Sequence, residues 1–292
     1  MDSIALNEKN KALSRLSGDS AVSYSHERTP VLKQYKKRRL QNGLRVIGVE
    51  DADQHLFAGN VRVHAGPRFE PRPHVGLTHF LEHMIIQGSS RFPTSNAIMR
   101  AVEDLGGVLD ASTHLESLEV YVGVHRKYWR AALDILTDVL LHPLFDERQV
   151  EHEKKIVAQE IAEFRDERQR NISASELAYS LLFKEQLDEL GTRGNVSTLG
   201  GFDRSLVRAC YERFFIPENT VVSLAGAFDF DEVCSALAET FGALPAGRGV
   251  PDILPAEVTR RRARSLYRIT EKAPVVDVEL GYRAYSFADD RF

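Results

Sequence analysis

The sequence predicts an α+β fold, in which a mostly antiparallel sheet carries helices packed on one face. Short runs with alternating apolar and polar residues, as at 117–125, have the period of strands that are buried on one face. Longer segments such as 146–168 repeat their apolar residues every three or four positions, which indicates amphipathic helices. The length of 292 residues and the hydrophobic share of 43% suffice for one large or two medium cores.

The elements follow from local signals along the chain. Asn42-Gly43 separates the first two short strand patterns, as in a tight hairpin. Pro93-Thr94-Ser95 has the composition of a helix start. The other expected elements are strands at 57–65, 107–114, 117–125 and 220–225, and helices at 75–88, 95–105, 127–141, 146–168, 171–184, 203–215 and 230–241.

The expected helix at 75–88 contains a candidate metal site, His79-Phe80-Leu81-Glu82-His83. Residues four apart share a helix face, so His79 and His83 can direct both imidazoles to one ion, and Glu82 joins that face. Zinc accepts imidazole nitrogen and carboxylate oxygen, and a catalytic zinc site has three protein ligands and a water. A solvated helical face is the alternative, but the apolar neighbours predict burial, and buried histidines and glutamates need partners.

The third ligand must come from another segment, and Glu160 is the candidate. The helix predicted at 146–168 places Glu153 and Glu160 on an otherwise apolar stripe. Carboxylates there are costly unless they are paired or bound to a metal. Glu153, two turns earlier, could hydrogen-bond a ligating histidine. The sequence therefore predicts one zinc ion per chain, held by His79, His83 and Glu160.

These residues resemble the inverted zincins, the metallopeptidase family that includes pitrilysin, insulin-degrading enzyme and the mitochondrial processing peptidase. The order His-x-x-Glu-His is the reverse of the commoner zinc motif His-Glu-x-x-His. Glu160 falls at the family's third-ligand spacing, and the likeness covers roughly residues 31–245. The other matching segments are Gln41–Val46, Ala65-Gly66 with Glu70, and Gly106–Thr113.

The resemblance implies a zinc-dependent endopeptidase that acts on peptides or unfolded segments, with processing of a precursor peptide as one use. Glu82 would be the general base, taking a proton from water and passing it to the leaving amine. A sheet edge at 109–114 could pair with an extended peptide, with Asp110 and Ala111 as contacts. The family usually has asparagine at the position of Asp110. Since an ionised carboxylate only accepts hydrogen bonds, a water-facing strand-end role for Asp110 is equally compatible.

Two other interpretations of the site stay open. A non-catalytic subunit would bind peptide and pair with an active partner, as some family members do. Such subunits generally lack members of the zinc set, whereas His79, Glu82, His83 and Glu160 are all present here. A structural zinc site is disfavoured because such sites are typically closed by a fourth protein ligand.

The expected domain organisation has four parts. Residues 1–30 are polar without an apolar core, so they predict a mobile polar leader rather than an export or mitochondrial address. Residues 31–245 would form the zinc peptidase domain, and the proline and glycine residues of 246–264 indicate a linker. Strand-like runs in 265–292, the second at 275–282, would open a second similar domain, truncated or supplied by a partner, because family members continue into one.

Composition restricts the partners and the location. The net charge of −4 gives no reason to expect nucleic acid. No stretch approaches the roughly eighteen consecutive apolar residues of a membrane span. Cys210 and Cys234 are expected to be core thiols without a disulfide, which fits a cytoplasmic protein. The expected partners are a peptide substrate and a second homologous domain or subunit.

Overall fold

The computed structural model describes residues 34–168, 170–182 and 192–244, together with 247, 249, 276–282 and 284. All of them belong to one compact unit that begins at Gln34. The expected leader, most of the expected linker and the strand-like run at 265–269 lie outside the described residues.

Within the described residues, six strands form one sheet. The strands are β1 (Lys36–Arg39), β2 (Arg45–Glu50), β3 (Leu56–Val63), β4 (Val108–Thr113), β5 (Leu118–His125) and β6 (Thr220–Gly226). Their order across the sheet is β1-β2-β6-β3-β5-β4. The β2–β6 pair is parallel and the other neighbours are antiparallel, which confirms the mostly antiparallel sheet. Strand β4 therefore lies at an edge of the sheet.

Helices connect and cover the strands. They are α1 (Leu77–Ile85), α2 (Ser95–Glu103), α3 (Trp129–Leu141), α4 (Glu147–Glu163), α5 (Ala174–Leu182), α6 (Val196–Leu199), α7 (Arg204–Phe214) and α8 (Phe230–Thr240). The sequence predicted all of these except the four-residue α6, with ends that differ by a few residues. Short 3-10 turns lie at 67–69, 72–74, 126–128, 217–219 and 241–243.

Side chains just before several helices satisfy the free backbone N–H groups of the first turn. Thr94 accepts a hydrogen bond from the Ala97 N–H at the start of α2. Asp146, Asp203 and Asp229 do the same for α4, α7 and α8. Each such bond stabilises the helix by about 1 kcal/mol, so these polar residues fix where the helices begin.

The sheet has one buried face and one exposed face. Val61 pairs with Val120 on one side and with Val222 on the other, and all three are at most 1% exposed. The next position along β3, Arg62, is exposed, as side chains of a strand alternate between faces. Helices cover the buried face, with α1 against β4, α3 against β5 and α8 against β2. The helical layer on one face is therefore confirmed.

Residues 276–282 differ from the sequence expectation, because they form no strand although the pattern predicts one. Their alternating apolar side chains, including Val276 and Tyr282, are exposed. Within the described residues no neighbouring strand pairs with them, and an apolar run without a hydrogen-bonded neighbour does not form a sheet.

The two cysteines lie in the core, as predicted. Cys210 on α7 and Cys234 on α8 are both buried and free. Burial raises the pKa of both thiols. They are therefore packing residues with little thiolate at neutral pH.

Candidate active site

Helices α1 and α4 bring the predicted metal-binding residues together. His79 and His83 lie one turn apart on α1, with ring centroids 4.8 Å apart. The Nε2 atom of each imidazole is 3.5 Å from the same oxygen, Oε2 of Glu160 on α4. Both imidazoles of α1 therefore face the same carboxylate oxygen of α4.

This arrangement fits a zinc ion. Donor atoms that surround zinc tetrahedrally at about 2.0–2.1 Å lie about 3.3 Å from one another. The 3.5 Å between each Nε2 and Oε2 of Glu160 is close to that separation. The donor set of two imidazole nitrogens and one carboxylate oxygen is that of a catalytic zinc site. Nδ1 of His79 is buried without a hydrogen-bond partner among the described residues, whereas Nε2 of the same ring faces Glu160. A cation between Nε2 and Glu160 would bind both groups.

Glu153 lies within hydrogen-bond distance of the second histidine, His83. Its Oε2 lies 3.2 Å from Nδ1 of His83, and its side chain is 2% exposed. A carboxylate that accepts a hydrogen bond from one imidazole nitrogen orients the ring so that the other nitrogen faces the opposite direction. Here that other nitrogen, Nε2, is the one that faces Glu160.

The charges around the two imidazoles favour a cation. Burial lowers the pKa of His83, but hydrogen bonds to Glu153 and Glu160 outweigh burial and raise this pKa to about 9. Burial and the neighbouring His83 lower the pKa of His79 to about 4. The hydrogen bond with His83 lowers the pKa of Glu160 to about 2. A proton on His83 thus balances the carboxylates, and a metal ion that binds would displace it.

The side chain of Glu82, on α1, contacts strand β4. The Thr113 hydroxyl donates a hydrogen bond of 2.5 Å to its Oε2. Burial raises the pKa of Glu82, which makes its carboxylate a better proton acceptor. One potential donor atom from each of His79, Glu82 and His83 lies within 4.8 Å of the others, so Glu82 is also close enough to bind a metal. The convergence of both Nε2 atoms on Glu160 favours Glu160 as the ligand.

A buried carboxylate fixes the start of α1. Glu70 is 4% exposed, and its two oxygens accept hydrogen bonds from the N–H groups of Gly76 and Thr78 at 2.7 and 2.5 Å. Burial raises the pKa of Glu70. A carboxylate at a helix N-terminus also interacts favourably with the helix dipole. Because Gly76 offers no side chain, Glu70 supplies the cap from six residues earlier and so orients the turn that carries His79.

Arg193 joins the site without a sequence signal. Its Nε donates to Oε1 of Glu160 at 2.9 Å, and its Nη1 donates to Oε1 of Glu176 at 2.7 Å. The residue lies between elements and has no motif spacing to the histidines, so sequence reasoning had no pattern to detect. Thr113 was missed for a similar reason, because its contact with Glu82 joins a strand to a helix.

The predicted substrate contacts lie on the edge strand next to α1. Asp110 is exposed, and its Oδ1 accepts a hydrogen bond of 2.9 Å from the N–H of Ala111. Ala111 is partly buried and packs against the core. The Ala111 N–H is thus bonded to the neighbouring carboxylate in the free chain.

Comparison with known families agrees with this geometry. The model of Insulinase (Peptidase family M16) matches residues 45–188, and the model of the Peptidase M16 inactive domain matches residues 201–291. The chain belongs to peptidase family M16, as the resemblance to pitrilysin and its relatives predicted.

Two curated relatives and one solved structure illustrate the similarity. The uncharacterized zinc protease YmxG of Bacillus subtilis (strain 168) is 28% identical over 236 residues, which cover 78% of this chain and 56% of the relative. The mitochondrial-processing peptidase subunit beta of Dictyostelium discoideum is 25% identical over 251 residues, covering 86% and 53%. Pitrilysin shares the fold, with a TM-score of 0.66 at 24% identity over 77% of this chain and 24% of its own. The chain spans about half the length of the curated relatives it matches.

The second family match includes one strand of the sheet and also residues that follow the sheet in the chain. It begins at residue 201, before α7, β6 and α8, although β6 lies in the middle of the sheet. It continues to residue 291, beyond the last strand of the sheet, and the expected start of a second domain at residue 265 stays a prediction.

Proposed function

We propose that this chain is the catalytic half of a zinc-dependent endopeptidase that hydrolyses peptides or unfolded segments, including precursor peptides. One observation carries the proposal. The Nε2 atoms of His79 and His83 converge on one oxygen of Glu160, with the carboxylate of Glu82 beside them. In this proposal His79, His83 and Glu160 hold one zinc ion per chain.

The chain's own residues would divide the chemistry between them. When bound, zinc would lower the pKa of a water molecule and polarise the scissile carbonyl. Glu82 would accept the water proton and deliver it to the leaving amine. Thr113 holds the Glu82 carboxylate in place, and Glu153 keeps the His83 ring in the orientation that presents Nε2.

The edge strand β4 would bind the substrate backbone. An extended peptide could add to this edge through main-chain hydrogen bonds that do not depend on its sequence. Asp110 and Ala111 are the proposed contacts. Since the Asp110 carboxylate accepts from the Ala111 N–H, an incoming peptide carbonyl would have to displace it to reach that donor.

A second homologous domain or subunit is the proposed partner. Support comes from the second family match and from relatives of which this chain covers about half. Every described helix is too short or too polar to cross a bilayer. A cytoplasmic location and the absence of a nucleic-acid partner stay predictions.

Metal analysis and peptide cleavage together test the proposal. The purified chain should bind one zinc ion, and a quenched fluorescent peptide should be cleaved when the partner half is present. A chelator should stop cleavage, and added zinc should restore it. A folded chain that binds no zinc at saturating concentration would contradict the proposal.

The same assay separates the alternative function. A non-catalytic peptide-binding subunit would bind peptide without cleaving it, even with the partner half and zinc present. The second matched family model is named an inactive domain, and that name is compatible with a non-catalytic subunit. The complete set of His79, Glu82, His83 and Glu160 supports the enzyme.

A further inference from the structure

Arg193 connects three parts of the site. Its guanidinium donates to Glu160 on α4 and to Glu176 on α5, and it lies 3.7 Å above the Phe164 ring. The Arg193 side chain is 25% exposed, and those of Glu160 and Glu176 are 29% and 14% exposed. Two directed bonds and a stacked ring hold this guanidinium in one orientation.

The backbone that carries Arg193 is fixed to the start of the metal helix. Gly194 has φ +76, and a Cβ added there would lie 2.6 Å from the Cα of Gly76. The two glycines therefore pack backbone to backbone. The Thr198 hydroxyl donates to the Val75 carbonyl at 2.7 Å. The position of Arg193 is thus set by α1, whereas its guanidinium reaches the carboxylate on α4.

We propose that Arg193 is a positioning residue for the metal site, an inference that rests on the proposed zinc site. Arg193 holds Oε1 of Glu160, so that only Oε2 faces the two imidazoles. It thereby fixes the distance between the histidines of α1 and the carboxylate of α4, and it makes Glu160 bind through one oxygen. A carboxylate released from Arg193 could rotate and bind through both oxygens or turn away.

The fork of arginine is needed for this role. Nε and Nη1 point at two different carboxylates from one rigid plane. Lysine has a single ammonium on a flexible chain, so it can keep the charge but cannot make both contacts with the same geometry.

Zinc affinity and the cobalt spectrum of the full chain test this role. Replacing a residue that orients a metal ligand typically weakens metal binding about 10- to 100-fold. We expect Arg193→Ala to weaken zinc binding by that factor and Arg193→Lys to weaken it by less. With cobalt(II) in place of zinc, we expect weaker visible bands in Arg193→Ala, because a carboxylate bound through both oxygens raises the coordination number.

Arg130→Ala is the matched control. Arg130 also pairs with a glutamate, Glu232, and lies 4.7 Å from the Trp129 ring, but it is on α3, away from the metal helix. It should leave zinc affinity and the cobalt spectrum unchanged.

The outcomes distinguish this inference from the proposed function. An Arg193→Ala protein with unchanged zinc affinity and an unchanged cobalt spectrum overturns the positioning role but leaves the zinc site intact. A wild-type chain that binds no zinc refutes the proposed function itself. If Arg193→Ala does not fold, Arg193→Lys decides, and unchanged affinity and spectrum in that variant also overturn the inference.

Discussion

Two arginine–glutamate contacts in different regions of the molecule have the same chemistry but different surroundings. Arg193 stacks on Phe164 and bonds to Glu160, whose other oxygen faces both imidazoles. Arg130 stacks on Trp129 and pairs with Glu232 between α3 and α8, with side chains 60% and 48% exposed. The first pair shares its carboxylate with other groups in a partly buried network, whereas the second pair is largely exposed to solvent. The effect expected from replacing an arginine therefore depends less on the residue type than on its burial and on the partners that its carboxylate shares.

The largest expected effect is at the general base. Glu82→Gln should lower the turnover number about 10²- to 10⁴-fold, because the amide cannot take the water proton. Zinc content should stay nearly unchanged, since Glu82 is not a ligand in the proposed scheme. The measurement is steady-state peptide cleavage beside metal analysis. Glu163→Gln, at the exposed end of α4, is the control. Loss of zinc from Glu82→Gln would show that the roles of base and ligand are exchanged.

Removing the carboxylate of the proposed ligand Glu160 should mainly lower the affinity for zinc. Glu160→Gln should weaken zinc binding by more than the roughly hundredfold loss typical of residues that only orient a ligand. Competition with a chelator of known affinity measures this loss. Arg193→Ala serves as the comparison, because it leaves the carboxylate but frees it. Equal zinc binding in Glu160→Gln and wild type would remove Glu160 from the ligand set.

The cap of the metal helix should contribute to stability. Glu70→Gln replaces one of two accepting oxygens by an NH₂ group that faces a backbone N–H, and an unsatisfied buried donor costs about 1–3 kcal/mol. Urea unfolding should show this loss in the free energy of unfolding. Glu103→Gln, on the exposed end of α2, should change that free energy by less than about 0.5 kcal/mol. Equal stability of the two variants would mean that Glu70 does not cap α1.

A smaller effect, on KM, is expected from a substitution on the edge strand β4. Asp110→Asn should lower KM about two- to fivefold, because a neutral amide holds the Ala111 N–H less strongly than a carboxylate does and so yields it to a peptide. The turnover number should change little. Ser112→Ala, two positions along the same strand, is the control. An increase in KM would indicate that the Asp110 carboxylate itself contacts the peptide.

The smallest effect is expected at the exposed pair. Arg130→Ala should lower the free energy of unfolding by less than about 1 kcal/mol, because exposed ion pairs contribute little. Thermal unfolding at low and high salt measures this change. A larger loss would place Arg130 among the structural residues and end its use as a control.

The sequence predicted those features that have a local period or a fixed spacing. The apolar stripe of α4 placed Glu153 and Glu160 on one side, and His79 and His83 are four residues apart, so both helices could be oriented before any fold was known. Arg193 could not be predicted because its contacts join an irregular segment to two helices.

Local sequence patterns also could not predict which strands pair when they are far apart in the chain. The parallel contact of β6 with β2 depends on the order of strands across the sheet, which no short segment encodes. The run at 275–282 has the alternation of a strand, but alternation reports which side chains share a face and does not provide a pairing strand. Residues 276–282 show this difference, since they alternate and yet stay unpaired within the described part of the chain.

The central place of β6 has a consequence for synthesis on the ribosome. Strand β6 lies between the β1–β2 hairpin and the adjacent strands β3, β5 and β4, and it comes last in the chain among the described strands. A nascent chain that has not yet emerged past Gly226 holds two disconnected halves of a sheet. Contacts between such distant segments slow folding. The sheet beneath His79 and His83 is therefore complete only after β6, synthesised later, has paired.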